Sequence, residues 1–156
     1  MSFSGNPTTF VERQIENDGF WPDLSLTEFQ KAYRLPGEYL VETLVVGLIS
    51  AMTEVNEDLA RVKDTLLAAG LSNLETAAGV STPAEWAYAH KVELYKRAVY
   101  CRAKANLLTQ FATITRRESA ENTGKEAPER AETFLAFSQA AVRSLQGRGR
   151  MTAVLL

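Results

Sequence analysis

The chain has 156 residues, the size of one ordinary domain, and its 46% hydrophobic and 23% charged residues are typical of a folded protein. The single cysteine excludes an internal disulfide, and with only one histidine beside it nearly every zinc site is excluded as well. The formal net charge is only -2, yet acids outnumber bases 13 to 5 in residues 1–90, whereas bases outnumber acids 12 to 6 in residues 91–156.

Residues 1–24 are predicted to form an extended N-terminal arm, because glycines and prolines recur there and no apolar period is sustained. Within the arm, Phe20-Trp21-Pro22-Asp23 places two large aromatic side chains where loops are normally polar. We expect Phe20, Trp21, Pro22 and Asp23 either to fold back on the chain's own core or to anchor the arm in a partner.

A short helix is predicted to begin after Ser25, since Ser25 and Glu28 form a capping-box pattern, and to stop before Pro36-Gly37. A long helix follows over residues 38–69, where no proline occurs and Gly70 suits a C-terminal cap. Its apolar residues recur alternately every four and three positions, which is the seam of two closely aligned helices: Val41, Val45, Leu48, Met52, Val55, Leu59, Val62 and Leu66.

A second long helix is predicted from Thr82-Pro83-Ala84-Glu85, another capping box, to about Arg116. It carries apolar residues on two sides, so it needs cover on both, from the chain's own helices or from a second subunit. On one of its apolar strips, which includes Leu94 and Leu108, the small side chains of Ala98, Cys101 and Ala105 would permit another helix to approach closely.

The C-terminal part begins with a polar linker over residues 117–127, followed by a last helix that opens at Pro128 and ends at Gln146. Beyond it, Gly147-Arg148-Gly149-Arg150 is a flexible basic joint. The last six residues are apolar and strand-prone, and they either lie on their own domain or insert into a partner: Met151, Thr152, Ala153, Val154, Leu155 and Leu156.

These elements predict an all-α fold, a bundle of about four helices with two long ones, an extended arm and a flexible tail. The predicted division is an N-terminal arm (1–24), a helical connector domain (25–146) and a C-terminal tail (147–156). No apolar run approaches the roughly 18 residues of a membrane span, and no signal-peptide pattern opens the sequence, so we expect a protein of the cytosol without a membrane partner.

The sequence offers little catalytic chemistry. It contains no phosphate-binding glycine loop and no zinc-protease or serine-hydrolase motif. A lone helical His90 is more often structural than a general base, and Cys101 lies on an apolar strip where a thiol is unreactive. We therefore expect no catalytic residue, no metal and no cofactor, and the sequence does not indicate an enzyme.

The uneven charge permits three interpretations: a basic surface for nucleic acid, opposite patches that attract a neighbouring copy, or helix faces that pair within the monomer. The basic residues of the second half are spread over several helix directions, which argues against sequence-specific nucleic-acid binding.

Several segments together resemble one known family. They are Phe20-Trp21-Pro22-Asp23, Tyr33-Arg34-Leu35, Ala51-Met52-Thr53-Glu54-Val55-Asn56, Leu94-Tyr95-Lys96-Arg97-Ala98-Val99-Tyr100-Cys101 and Ala103-Lys104-Ala105. Their order and spacing over about residues 18–156 resemble the GpL-type head completion protein of contractile-tailed temperate phages.

The resemblance implies a structural protein of the virion neck, which assembles in the host cytoplasm and completes DNA-filled heads. It implies a ring, usually dodecameric, on the portal protein, with the next neck or tail protein beneath it and packaged DNA nearby without specific contact. The tail residues Arg148, Arg150 and 151–156 would then contact the portal. Packing between neighbouring copies of the ring would fall to the second long helix, through Leu94, Ala98, Cys101, Ala105 and Leu108. The alternative from another class is a small helical cytosolic adaptor that dimerises through the Val41–Leu66 seam.

Overall fold

The computed structural model describes residues 10–35, 37, 39–118 and 130–149, with the backbone alone over residues 112–118. The elements in chain order are β1 (Gln14–Ile15), β2 (Leu24–Ser25), α1 (Leu26–Ala32), α2 (Val41–Asp58), α3 (Ala60–Ala68), α4 (Leu74–Ala77), α5 (Pro83–Glu118) and α6 (Ala131–Leu145). The all-α prediction is confirmed, since the strands form only a two-residue antiparallel pair with Ile15 opposite Leu24.

Helix α5 is the element on which the others pack. It is 36 residues long, and α2, α4 and α6 all lie against it. Every residue from 98 to 105 is buried, which for a helix means cover on all sides rather than along one stripe. The chain supplies that cover itself, so a second subunit is not needed to complete the core around this stretch.

The predicted long helix over residues 38–69 is wrong in one respect, because it breaks at Leu59. Leu59 is fully buried with φ -102° and ψ 8°, and it ends α2 and begins α3. Backbone hydrogen bonds of 3.0 Å still run from Leu59 N–H to Val55 and from Lys63 N–H to Leu59. The break is therefore a change of direction within one helical path, and no proline or glycine marks it in the sequence.

The apolar seam along α2 and α3 is largely buried inside the monomer. Leu48, Val55 and Leu59 are 0% exposed, and Val45 is 7% exposed. The two aligned helices that the seam predicts are therefore α2 and α5 of one chain. A dimer through the Val41–Leu66 seam, which the adaptor alternative requires, would have to use side chains that the monomer already buries.

The loop predicted between the long helices contains a short helix, α4, which the sequence reasoning missed. Asn73 is its N-cap, and the side-chain Oδ1 accepts hydrogen bonds from the backbone N–H groups of Glu75 and Thr76. Leu74 is fully buried, and its backbone N–H donates to Phe20 O at 3.0 Å. This turn therefore packs the end of the arm against the bundle.

Among the described residues, no helix has the length and hydropathy needed to cross a membrane.

Three helices end in a left-handed residue that closes the last turn. Gly70 (φ 93°) follows α3 and Gly147 (φ 71°) follows α6, as expected for this type of cap. After α1 the position is taken by Arg34, with φ 49°, and Leu35 N–H donates to Gln30 O at 3.1 Å. Arg34 is thus a non-glycine residue in a conformation that costs about 1–2 kcal/mol for an L-residue.

We predict that Arg34→Gly raises the free energy of unfolding by about 1 kcal/mol, because glycine adopts this conformation without a Cβ clash. Urea denaturation of the two proteins measures the difference. Lys31→Gly is the matched control, since position 31 lies inside α1 and the same substitution there should cost about 1 kcal/mol. A loss of stability in both variants would show that Arg34 is not strained.

Candidate interaction surfaces

The aromatic residues of the arm are buried within their own chain. Phe20 and Trp21 are each 2% exposed, and their rings meet edge-on with centroids 5.0 Å apart. Pro22 is also buried, whereas Asp23 is exposed and its Oδ1 accepts a hydrogen bond from Asn17 N–H at 2.8 Å. The segment Phe20–Asp23 therefore folds back on the core, and its aromatic side chains have no surface left for a partner.

A polar network fixes the arm to the two long helices. The ring of Trp21 stacks on Tyr95 of α5, with centroids 4.8 Å apart and planes at 3°. The Tyr95 hydroxyl donates a hydrogen bond to Asn56 Oδ1 at 2.6 Å and accepts one from Asn17 Nδ2 at 2.7 Å. A third hydrogen bond joins the two asparagines, since Asn56 Nδ2 donates to Asn17 Oδ1 at 2.9 Å. Burial raises the pKa of Tyr95, so the phenol remains a neutral donor. The sequence reasoning missed Asn17 and Asn56 as structural residues.

The strip predicted to pack between copies lies mostly inside the monomer. Ala98, Cys101 and Ala105 are 0, 2 and 4% exposed, while Leu94 and Leu108 are half-buried.

The cover over the strip comes from α6 and from the end of α1. Ser138 Oγ of α6 donates to Ala98 O at 2.7 Å, and the Cys101 thiol lies 3.7 Å from the Tyr33 hydroxyl. Burial raises the pKa of Cys101, which keeps the thiol protonated and unreactive. In the folded chain Ala98, Cys101 and Ala105 are therefore core residues, and of the five residues predicted to pack between copies only Leu94 and Leu108 are partly exposed.

Part of the opposite charge of the two halves is paired within the monomer. Arg102 of α5 is 8% exposed, and its Nη2 lies 2.8 Å from Asp58 Oδ2 while its Nη1 lies 3.7 Å from Glu54 Oε2. Lys104 is 3% exposed and its Nζ donates to Tyr33 O at 2.6 Å, at the C-terminal end of α1. A buried cation is favourable at a helix C-terminus, so both bases hold helices together.

The outer face of α2 carries an exposed ridge of acidic and apolar side chains. At 100° per residue these positions lie on the side opposite the buried Leu44, Leu48 and Val55. Val46 is 67% and Ile49 43% exposed. We call this face the acidic ridge, and its members are Glu42, Val46, Ile49, Thr53 and Glu57.

A second exposed surface combines aromatic rings with cations. The rings of Phe134 and Phe137 on α6 meet edge-on at 6.0 Å, and Phe137 is 40% exposed. The guanidinium of Arg97 lies 5.1 Å from the Phe137 ring centroid, and Lys104 Nζ lies 4.5 Å from that of Phe134. We call this surface the basic aromatic patch; its members are Arg97, Arg130, Phe134 and Phe137, with the buried Lys104 beneath the rings.

The first residues of the C-terminal tail, Gly147 and Arg148, lie beside a groove of about 400 Å³. Arg148 lies at its edge, with its backbone N–H donating to Arg143 O at 2.8 Å, and the apolar residues Val62 and Leu66 line it. The other residues predicted to contact the portal, Arg150 and 151–156, lie outside the described residues.

The exposed His90 lines a shallow cleft between α1 and α5, together with Glu93 and Tyr33. Within the described part of the chain, no group of three or more His, Cys, Asp or Glu side chains converges on a position that could hold a metal ion.

Comparison with known proteins gives two matches that agree. A family model described as phage head completion protein (GPL) matches residues 15–156. The "Probable head completion/stabilization protein" of Haemophilus phage HP1 (strain HP1c1) is 32% identical over 154 residues, covering 99% of each chain. No solved structure matches the chain. The family match extends from the second residue of β1 through α6 and the C-terminal tail.

We predict that Trp21→Ala lowers the free energy of unfolding by about 3–5 kcal/mol, because it removes a buried ring from the contact with Tyr95. Thermal or urea denaturation measures the loss. Trp86→Ala is the matched control, since Trp86 is 55% exposed and truncation there should cost under about 1 kcal/mol. Equal effects of the two substitutions would contradict the burial of the arm.

Proposed function

Since the chain belongs to the phage head completion protein (GPL) family, we propose that it completes DNA-filled heads by forming a ring on the portal and joining the head to the phage tail. The observation that carries this proposal is the family match over residues 15–156, which leaves out only the start of the arm. The near-equal length of the relative from phage HP1 supports one shared role for the whole chain.

The proposed partners are the portal protein, neighbouring copies in a dodecameric ring, and the next neck or tail protein. Packaged DNA would lie close to the ring without specific contacts. The protein would assemble in the host cytoplasm and remain in the virion neck. Ring subunits meet through unlike patches, and a chain with an acidic first part and a basic second part suits such contacts.

The C-terminal tail is the proposed contact with the portal. Its last six residues are apolar, and two arginines and two glycines connect them to α6. Apolar residues on such a joint can dock on a preformed surface, and main-chain hydrogen bonds to an exposed strand would add to the affinity. The helical domain would thus be held at the portal by a segment separate from its core.

We predict that deleting residues 151–156 abolishes attachment to DNA-filled heads but leaves the melting temperature within about 2 °C of the full chain. Stability should persist because the hydrogen bonds that close α6 lie within residues 142–148. The measurements are thermal denaturation of the purified variant and electron microscopy of heads from a phage that lacks its own copy of the gene.

A variant in which a Gly/Ser segment of equal length replaces residues 151–156 is the control for chain length. It should also fail to attach, because it lacks the apolar side chains. Unfolding of the truncated chain would show that the tail belongs to the core, and normal attachment of either variant would show that the portal contact lies elsewhere.

A further inference from the structure

The acidic ridge and the basic aromatic patch are complementary surfaces of the same chain. On the ridge, Glu42 and Glu57 form no ion pair among the described residues, unlike Glu54 and Asp58, which pair with Arg102. Val46 and Ile49 lie between these two acids, with 67% and 43% of their surface exposed. The ridge thus offers an apolar centre with a carboxylate at each end.

The patch has the opposite charge around a similar apolar centre. Arg97 and Arg130 are exposed and form no ion pair with any described acid, and the buried Lys104 adds a third positive charge beneath the rings. The exposed Phe137 lies on α6, seven residues after Arg130, and the Arg97 guanidinium lies 5.1 Å from the centroid of its ring. An aromatic residue with a nearby arginine is the type of group that dominates binding energy at protein interfaces.

The two surfaces lie on opposite sides of α5. Helix α2 packs on the side of α5 that presents Tyr95, whose hydroxyl bonds Asn56. Arg97 lies two residues after Tyr95, which corresponds to about 200° of rotation around a helix. Arg97 is therefore on the side of α5 that faces away from α2. The acidic ridge is in turn the face of α2 that points away from α5. One copy can therefore use both surfaces at once, each toward a different neighbour.

Charge also determines which surfaces can meet. Two acidic ridges or two basic aromatic patches placed face to face would bring like charges together, which is unfavourable. A ridge against a patch brings glutamates to arginines and the apolar centres to each other. Such a contact joins unlike surfaces, and it repeats from copy to copy as a ring requires.

We propose that the acidic ridge of one copy packs against the basic aromatic patch of the next copy. The inference rests on the proposed function in one respect, namely that the copies meet on the head. The contact between subunits would then be made by two exposed surfaces and not by the strip of α5 from Leu94 to Leu108.

Cysteine cross-linking tests the contact directly in the full-length chain. The variants are Ile49→Cys, Phe137→Cys and the two combined, treated with a short thiol-reactive bismaleimide on completed heads. The native Cys101 is 2% exposed, so the unsubstituted protein is a suitable background control.

We expect the double variant to give a ladder of cross-linked multimers, and each single variant to remain at the monomer position. Dimers from a single variant would show that like surfaces meet, and would overturn the inference in favour of a symmetric pair. Completed heads that carry the double variant without a ladder would also overturn it, while leaving the proposed function standing. Failure of the unsubstituted protein to complete heads would instead refute the proposed function.

Charge reversal gives a second test that does not depend on cross-linking geometry. Glu57→Lys and Arg97→Glu should each weaken association by about tenfold or more, measured as the concentration needed to complete half of the heads. The two changes together should restore much of the loss, because every contact then pairs opposite charges again. Glu75→Lys, an exposed acid on α4 outside the ridge, is the matched control and should have no effect. No recovery in the double variant would contradict the proposed pairing of surfaces.

Discussion

The burial of α5 by its own chain is the constraint on which the rest of the structure depends. Eight consecutive residues, 98–105, are buried, including two bases whose charges are costly to bury. Arg102 is compensated by acids of α2, and Lys104 by a carbonyl at the end of α1 and a ring of α6. The same side chains that satisfy these charges therefore also join α1, α2 and α6 around the central helix.

A complete core restricts where the protein can contact others. The small residues of α5 and the aromatic pair of the arm are buried inside the monomer, so the contacts that we propose with other molecules use the outer faces and the C-terminal tail. The acidic ridge and the basic aromatic patch point in different directions, and the first residues of the tail, Gly147 and Arg148, lie at a third place at the end of α6. The surfaces that we propose for two neighbours and for the head are thus separate on one subunit.

The sequence predicts the helices well where local chemistry marks their ends. Ser25 with Glu28 begins α1, Thr82 with Glu85 begins α5, and Gly70 and Gly147 end α3 and α6. The break at Leu59 is not predictable in this way, because no breaking residue occurs there and the hydrogen bonds continue. The strip from Leu94 to Leu108 shows a further limit: periodicity finds an apolar face, but only packing decides whether the same chain or another copy covers it.

The exposed surfaces were equally hard to derive from the sequence. Val46 and Ile49 lie outside the predicted apolar seam, but the sequence does not indicate whether another part of the chain covers them; the packing of the folded chain leaves them exposed. Arg97 and Phe137 are 40 positions apart, and nothing in their local sequence predicts that they meet. The charge difference between the two halves of the chain is the one feature of the sequence that indicates such surfaces. Part of that difference is neutralised inside the monomer, where Arg102 pairs with Glu54 and Asp58.

The most direct test is amide hydrogen exchange over residues 95–107 in the free protein at low concentration. The account predicts that these amides are among the slowest to exchange in the isolated chain, and that assembly on heads changes them little. Fast exchange in the free chain, with protection only after assembly, would contradict it, because the cover over α5 would then come from another molecule.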